Sequence, residues 1–179
     1  GGRRWASPPG WMEPHVLPLV DPDHTWYEPG AENLFVLSAI RLHRANMGMI
    51  LRLDQRDGRP LPTFIRTPSG RGFTFLNLPG GHRPFDVLYD DVSRRYWLVS
   101  NRAADSMRRP DRLPPSRPGL PEDELDGLQL HVSTNLVDWE FTGLVARPAA
   151  DRLTLLNPSM AVRGAELSIV CRSGGADRR

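Results

Sequence analysis

The chain has only one cysteine, no lysine and no long apolar run. A single cysteine excludes an intrachain disulfide and argues against a cysteine-based metal site. Cys171 lies in an apolar run, so we expect it to be a buried small hydrophobe. No apolar stretch reaches the roughly 18 residues that a transmembrane helix needs, and no membrane span is therefore expected.

An excess of charge of one sign is also missing. The 23 basic residues, all of them arginine, are nearly balanced by 21 acidic residues, and the formal net charge is +2. Such a balance creates no strong field, so we expect no nucleic-acid partner. A GC-rich genome explains the exclusive use of arginine more simply than selection for carboxylate recognition does. The motifs of metal, phosphate and dinucleotide sites are absent as well, so no metal and no cofactor are expected.

Helical periodicity is lacking too, because apolar residues do not recur at i, i+3, i+4 and i+7 over the length of a helix. The chain instead contains 18 prolines and 16 glycines, which favour turns. Short runs rich in β-branched and aromatic residues lie between these turns. The composition therefore predicts an all-β fold built from many short strands.

Three stretches of the chain share a pattern of polar turn, apolar run and arginine. Arg41, Arg102 and Arg172 occupy the same place in these stretches, at or near the end of the run. Repeats of a few tens of residues made of strands and turns indicate stacked or radially arranged β-units. In a radial arrangement, equivalent positions of different units lie near one centre.

The repeat predicts a single incomplete β-propeller domain over residues 1–179, with about two and a half blades of four antiparallel strands each. We place the first blade at about 14–66 and the second at about 67–147, with a long loop at 103–127. A partial blade follows at 153–173. Propellers usually have at least about four blades, so the chain is expected to be a fragment. The predicted strands are 15–20, 25–27, 34–41, 47–54, 60–66, 73–76, 85–89, 96–101, 128–133, 139–145, 155–162 and 167–172.

The segment from Ser133 to Trp139 places a short polar turn before a tryptophan, between two predicted strands. It is similar to the Asp-box of sialidases, although it is one residue shorter and has Asn135 in place of the aspartate. It is closer still to the Ser-x-Asp-Leu-x-x-Trp turn of five-bladed glycoside hydrolase propellers. We expect Asn135 to cap the turn and Trp139 to pack between blades.

Together with further short segments in a fixed order, this turn makes the chain resemble bacterial sialidase-like or glycosyl-hydrolase-like β-propeller proteins. The resemblance implies part of a five- or six-bladed propeller that acts on, or recognises, a glycan in a central pocket. It also implies a glycan or glycoside partner. The segments that carry it are Gly10–Pro14, Asp21–His24, Arg41–His43 with Gly48, Phe85–Asp90 and Cys171–Ser173.

In sialidases three arginines clamp the substrate carboxylate, because the planar guanidinium pairs with a carboxylate through two parallel hydrogen bonds. The resemblance implies this role for Arg41, Arg102 and Arg172. The first sialidase arginine normally lies in an Arg-Ile-Pro segment, which has no counterpart in this chain. The alternative is that these arginines end strands and contact solvent or carboxylates of a neighbouring blade.

Glycosidases need two carboxyl groups, roughly 5–9.5 Å apart, on either side of the bond that they cleave. Asp23 and Asp86 lie near predicted inner-strand starts, and Glu13 precedes a proline, so these are the candidate catalytic carboxylates. Asn157 holds a related place in the third unit. The alternative is that such residues cap turns or strands by accepting backbone amides. The candidate sugar-contacting residues, besides the arginines, are His24, His43 and Trp11.

Functions of other classes stay open at this point. A second hypothesis is a non-catalytic propeller that binds carbohydrate or protein, and a third is a surface or structural repeat protein. Two carboxylates that face each other across a central pocket would favour hydrolysis. A pocket of arginines and aromatic residues without such a pair would favour binding alone.

Overall fold

The structure, a computed structural model, describes residues 10–40, 45–67, 69–73, 75–104, 124–125, 127–148 and 153–175. Over these residues the backbone forms antiparallel β-sheets and no helix, which confirms the all-β expectation. The described ranges accordingly contain no helix with the length and apolarity to cross a bilayer. Most of the predicted loop at 103–127 lies outside these ranges.

The first sheet is an antiparallel meander in which each strand pairs with the next along the chain. Its strands are β1 (Trp11–Pro18), β2 (Leu34–Ile40), β3 (Met47–Arg56) and β4 (Arg59–Thr63). Asp57–Gly58 joins β3 to β4, and the two residues have φ values of 53° and 72°. A two-residue hairpin of the favoured type needs positive φ at both positions, which explains why this dipeptide predicts the hairpin correctly.

The outer edge of the first sheet is formed by two pieces of chain. β4 pairs with the later part of β3, and β7 (Phe75–Asn77) pairs with the beginning of β3, on the edge opposite β2. Between these pieces the chain leaves the sheet as a small hairpin of β5 (Ile65–Arg66) and β6 (Gly72–Phe73). The first blade was predicted to end at about residue 66, but the first sheet extends further along the chain, because β7 completes its edge.

The second sheet is again a four-stranded meander, and a two-stranded sheet follows it within the described residues. These strands agree closely with the predicted runs. The second sheet consists of β8 (Asp86–Asp90), β9 (Arg95–Asn101), β10 (Leu128–Ser133) and β11 (Glu140–Ala146), and the third of β12 (Leu153–Arg163) and β13 (Glu166–Gly175).

Two expectations from the sequence are wrong. Thr25–Tyr27, predicted as a strand, lies in a series of turns, in which the amide of Tyr27 donates to the carbonyl of His24 at 2.9 Å. The carboxylate of Asp21 starts these turns by accepting the amide of Asp23 at 3.0 Å, so local hydrogen bonds replace strand pairing. Cys171 is exposed and not buried, because it lies in a sheet with only two described strands.

The largest core cluster lies between the first and second sheets. Phe35 of β2 is fully buried there, as are Tyr96 and Leu98 of β9. The next residue of β9, Val99, belongs instead to a cluster with Leu155 of β12, between the second and third sheets. β9 is thus buried on both faces, which explains why its sequence is a continuous apolar run and not an alternating one.

Candidate functional site

The first strands of the three sheets run in the same direction, and β8 contacts both β1 and β12. Near the start of β8, Nε2 of His15 in β1 donates to the carbonyl of Phe85 at 3.0 Å. Near the far end of β8, the hydroxyl of Tyr96 donates to the carbonyl of Pro18, the last residue of β1, at 2.6 Å. These two contacts show that β1 and β8 begin at a common end of the sheets. We call the end at which Trp11 begins β1 the leading end.

Asp86 joins all three first strands. Its Oδ1 lies 3.4 Å from Nδ1 of His15, and its Oδ2 accepts the backbone amide of Met160 in β12 at 2.5 Å. Asn101 of β9, closer to the leading end, donates to the carbonyl of Leu155 at 2.9 Å, so β12 runs in the same direction as β8. Oδ2 of this candidate catalytic carboxylate therefore holds β12 to β8, and Oδ1 lies beside the ring of His15 in β1.

Matching irregularities occur in β1 and β12 near the leading end. The register of each strand shifts at a residue followed by proline, namely Glu13 before Pro14 and Asn157 before Pro158. The φ values of Glu13 and Asn157 are 49° and 46°. This left-handed conformation is uncommon for residues other than glycine, and helical backbone is disfavoured further before proline. Such outliers persist only where the surrounding structure enforces them, and they are frequent at functional sites.

Two of the predicted sugar-contacting residues lie at the leading end. Trp11 begins β1 and is 62% exposed. Arg102 directly follows β9 and is exposed, and its amide donates to the carbonyl of Gly127 at 2.9 Å. Two other candidates, Arg41 and His43, lie outside the described residues.

Arg172 is exposed within β13, where it pairs with Leu156, the residue before the bulge of β12. In the first sheet, the residue that pairs with the position before the bulge of β1 is Ala39, which lies two residues before Arg41. Counted from the bulge, Arg172 therefore corresponds to Ala39 in the register of the sheets, whereas the spacing in the sequence groups it with Arg41.

Asp23 and His24 lie in the turns that follow β1, at the opposite end of the sheets from Trp11. Nδ1 of His24 accepts the amide of Trp26 at 3.0 Å, and the two rings meet edge to face with centroids 4.9 Å apart. Burial lowers the pKa of His24, although the carboxylate of Asp21 acts in the opposite direction. The structure thus does not bring Asp23 and His24 together with the candidates at the leading end.

The turn before Trp139 has the expected capping geometry. Oδ1 of Asn135 accepts the amides of Val137 at 3.0 Å and Asp138 at 2.8 Å. The φ of 63° at Leu136 lets the chain reverse within this short segment. Trp139 packs against the core cluster between the first two sheets. The predicted Asx cap is therefore confirmed, and its role here is structural.

Sequence reasoning missed a buried polar pair next to the leading end. His82, in the loop before β8, and Glu124, ahead of β10, are each 1% exposed. Nδ1 of His82 accepts the amide of Asn46 at 3.2 Å, which leaves the proton on Nε2, and Nε2 has no hydrogen-bond partner in the described parts of the chain. Burial lowers the pKa of His82 to about 4, while the charge of Glu124 opposes this shift. The pair combines burial with a perturbed pKa, as functional sites often do.

The signal that could have located this pair is the Gly80–Gly81 dipeptide directly before His82. Gly80 has a φ of 71°, which other residues rarely adopt. A Cβ at Gly81 would lie 2.7 Å from the carbonyl oxygen of Met47, which is closer than real Cβ atoms approach. Both positions need glycine because the loop that carries His82 packs closely against β9 and the start of β3.

No group of three or more His, Cys, Asp or Glu side chains in the described ranges is arranged to hold a metal ion. Comparison of the chain with protein-family models, with curated proteins and with solved structures finds no match. The functional proposal therefore rests on the geometry of the chain.

Proposed function

We propose that the three sheets are blades of a sialidase-like β-propeller that recognises a glycan at the leading end and acts on it as a glycoside hydrolase. The observation that carries this proposal is the arrangement of β1, β8 and β12. Each is the first strand of its sheet, β8 contacts both of the others, and all three run in the same direction. Propeller blades are four-stranded sheets arranged around a central channel. The leading end then forms one continuous surface across the blades.

The exposed groups at the leading end suit a glycan. Arg102 offers a planar set of donors that can pair with a carboxylate or with neighbouring hydroxyls. Trp11 offers an exposed ring face on which a sugar can stack. Glu13 is exposed and held in a strained backbone, so we assign acid–base chemistry to it. Asp86 is the second carboxylate of the pair in this proposal.

The test compares the wild-type chain with Glu13→Gln, Asp86→Asn and Arg102→Ala. Arg95→Ala is the matched control. Arg95 is also exposed, but it begins β9, whereas Arg102 follows the last residue of that strand. Turnover is measured on a panel of 4-methylumbelliferyl glycosides that includes a sialoside. We expect Glu13→Gln to lower kcat by about 10²-fold or more. We expect Arg102→Ala to raise KM about tenfold, the effect of losing one charged hydrogen bond, and Arg95→Ala to change neither value.

Equal turnover by the wild type and by Glu13→Gln would remove the assignment of Glu13. Equal KM values for the wild type and for Arg102→Ala would remove the leading end as the substrate site. Proper folding of each variant is checked by its thermal unfolding, because Asp86 also holds the sheets together.

One observation favours a second candidate function, which is glycan binding without hydrolysis. Oδ2 of Asp86 accepts the amide of Met160, and Oδ1 lies 3.4 Å from Nδ1 of His15, so the carboxylate is held between strands, whereas a catalytic carboxylate needs an oxygen free for the substrate. Titration of the same glycans by calorimetry separates the two functions. Saturable binding that Arg102→Ala weakens, without turnover of any glycoside, supports the binding function. No binding by any glycan of the panel contradicts both.

A further inference from the structure

The side of the first sheet that faces away from the second sheet is apolar. Neighbouring side chains of a strand point to opposite faces. Phe35 of β2 lies in the core between the first two sheets, so the side chain of Val36 points to the other side. Val36 clusters there with Met49 and Leu51, and Leu53 packs beside them. All four belong to the first sheet, and we call this side the free face of the first sheet.

Large apolar side chains on this free face are open to solvent. Val16 of β1 pairs with Val36 and is 55% exposed. Phe75 of β7 pairs with Met49 and is 43% exposed. The described parts of the other sheets contribute no residue to the cluster on this face. Exposed apolar surface next to such a cluster marks a site of interaction with another protein surface.

The third sheet also has a face that points away from the second sheet. Ile169 of β13 and Met160 of β12 pack against the cluster that the second and third sheets share. Val170 follows Ile169, so its side chain points to the other face, where it is 68% exposed. We call this side the free face of the third sheet. Its other side chains around Val170 are small, namely Ser159, Ala161 and Ser168.

The two free faces suit each other in size and position. Large side chains on one sheet pack well against small side chains on a facing sheet. The second sheet packs on the first by one face and on the third by the other, and the first strands of all three sheets run in the same direction. The sheets are therefore successive members of one series, and the free faces are its two ends.

The number of sheets favours a pair of chains. Each chain contributes three such sheets from its described residues, so two chains supply six and three chains supply nine. Propellers typically have roughly four to eight blades. Two copies related by a two-fold axis can therefore close the series into a ring, because the third sheet of each copy then meets the first sheet of the other.

We propose that two copies of this chain form a closed ring of six sheets, in which the free face of each first sheet packs on the free face of the other copy's third sheet. Each copy thus uses two different surfaces, and the same contact occurs twice. The leading ends of both copies then surround one axis. This inference rests on the propeller arrangement proposed above, but it requires neither a glycan nor hydrolysis.

The experiment measures the mass of the 179-residue chain in solution, by light scattering and by sedimentation over a range of concentrations. We expect twice the 20.1 kDa of one chain. Val16→Arg and Val170→Arg each place an unpaired charge on one of the two free faces. Because the burial of such a charge is costly, each should raise the dissociation constant of the dimer by at least about a hundredfold.

Val92→Arg is the matched control. Val92 is 84% exposed in the turn between β8 and β9 of the second sheet, so this variant should remain a dimer. All three valines are exposed, and the same substitution at each should leave the fold of a single chain intact. Thermal unfolding of the variants checks this point.

A wild-type chain that is monomeric at every concentration overturns the proposal. So does a dimer that only one of Val16→Arg and Val170→Arg dissociates, because the contact would then join two copies of the same face. An open assembly that grows with concentration, or loss of the dimer in Val92→Arg, also overturns it. Glycan binding is measured separately: a dimer without glycan binding removes the proposed function alone, whereas a monomer that hydrolyses a glycoside removes this inference alone.

Discussion

Acidification is expected to destabilise this fold through His82. The side chain is 1% exposed and burial lowers its pKa to about 4, whereas the same group has a pKa of about 6.5 in the unfolded chain. Below pH 6.5 the unfolded chain therefore binds a proton that the folded chain does not bind. The stability contributed by the neutral ring is fully present above pH 6.5 and is lost as the pH falls towards 4.

The size of this effect follows from the two pKa values. Linkage gives a loss of about 1 kcal/mol at pH 5.5 and about 2 kcal/mol at pH 4.5, relative to neutral pH, from His82 alone. His82→Asn removes the titrating ring but keeps an oxygen that can accept the amide of Asn46, which Nδ1 of His82 accepts in the wild type. The variant should therefore lose less stability than the wild type between pH 7 and pH 4.5, by about 2 kcal/mol.

Urea unfolding of both chains at about pH 7, 5.5 and 4.5 measures this difference. His24→Asn provides the control, because the pKa of His24 is also lowered but the side chain is only half-buried. We expect a smaller change in pH dependence from that variant. Parallel loss of stability in the wild type and in His82→Asn would refute the reasoning, as would a wild-type His82 that titrates near pH 6.5 in an NMR experiment.

Three further predictions concern contacts that hold the sheets and turns. Tyr96→Phe removes the hydroxyl that bonds β1 and should cost about 1–2 kcal/mol in thermal unfolding, whereas Tyr89→Phe should cost less than about 0.5 kcal/mol. Asn135→Ala should cost about 1–2 kcal/mol because two amides lose their acceptor, and Asn135→Asp, which keeps the acceptor, should cost less. Gly81→Ala should cost about 1–3 kcal/mol because its Cβ would meet a backbone oxygen at 2.7 Å, while Gly143→Ala, which meets nothing within 4 Å, should be tolerated. If the two variants of any pair lowered the free energy of unfolding equally, the contact that this pair tests would not contribute to stability as described.

Local patterns predicted most strands because turns and apolar runs alternate clearly along the chain. Leu128–Ser133 was predicted with its observed bounds, and the Asp57–Gly58 hairpin followed from its turn chemistry. Thr25–Tyr27 looks like a strand by composition, yet the side chain of Asp21 starts a series of turns before it. Whether a short aromatic run pairs as a strand depends on a partner edge, which a local pattern does not contain.

Much of the candidate site depends on contacts between residues that are distant in the sequence. Glu13 is a candidate because an acidic residue before a proline is visible locally, whereas its left-handed backbone is not visible in the sequence. The bond from Met160 to Asp86 and the burial of His82 both arise from the packing of separate loops and strands. The position of Arg172 could not be read from spacing, because the bulge in β12 changes the register.

The two-piece outer edge of the first sheet makes the 64–74 segment a natural place for peptide insertion. The pairing of β4 and β7 with β3 continues on either side of this excursion, so its length does not alter the ladder. Ile65 is buried at its base, whereas Gly70 is exposed at its tip with a φ of 79°. An affinity tag or a fluorescent reporter is therefore best grafted at Gly70, and deletion of Ile65 should be avoided. Natural variants of this chain should differ in length at the same tip before they differ anywhere in the neighbouring ladder.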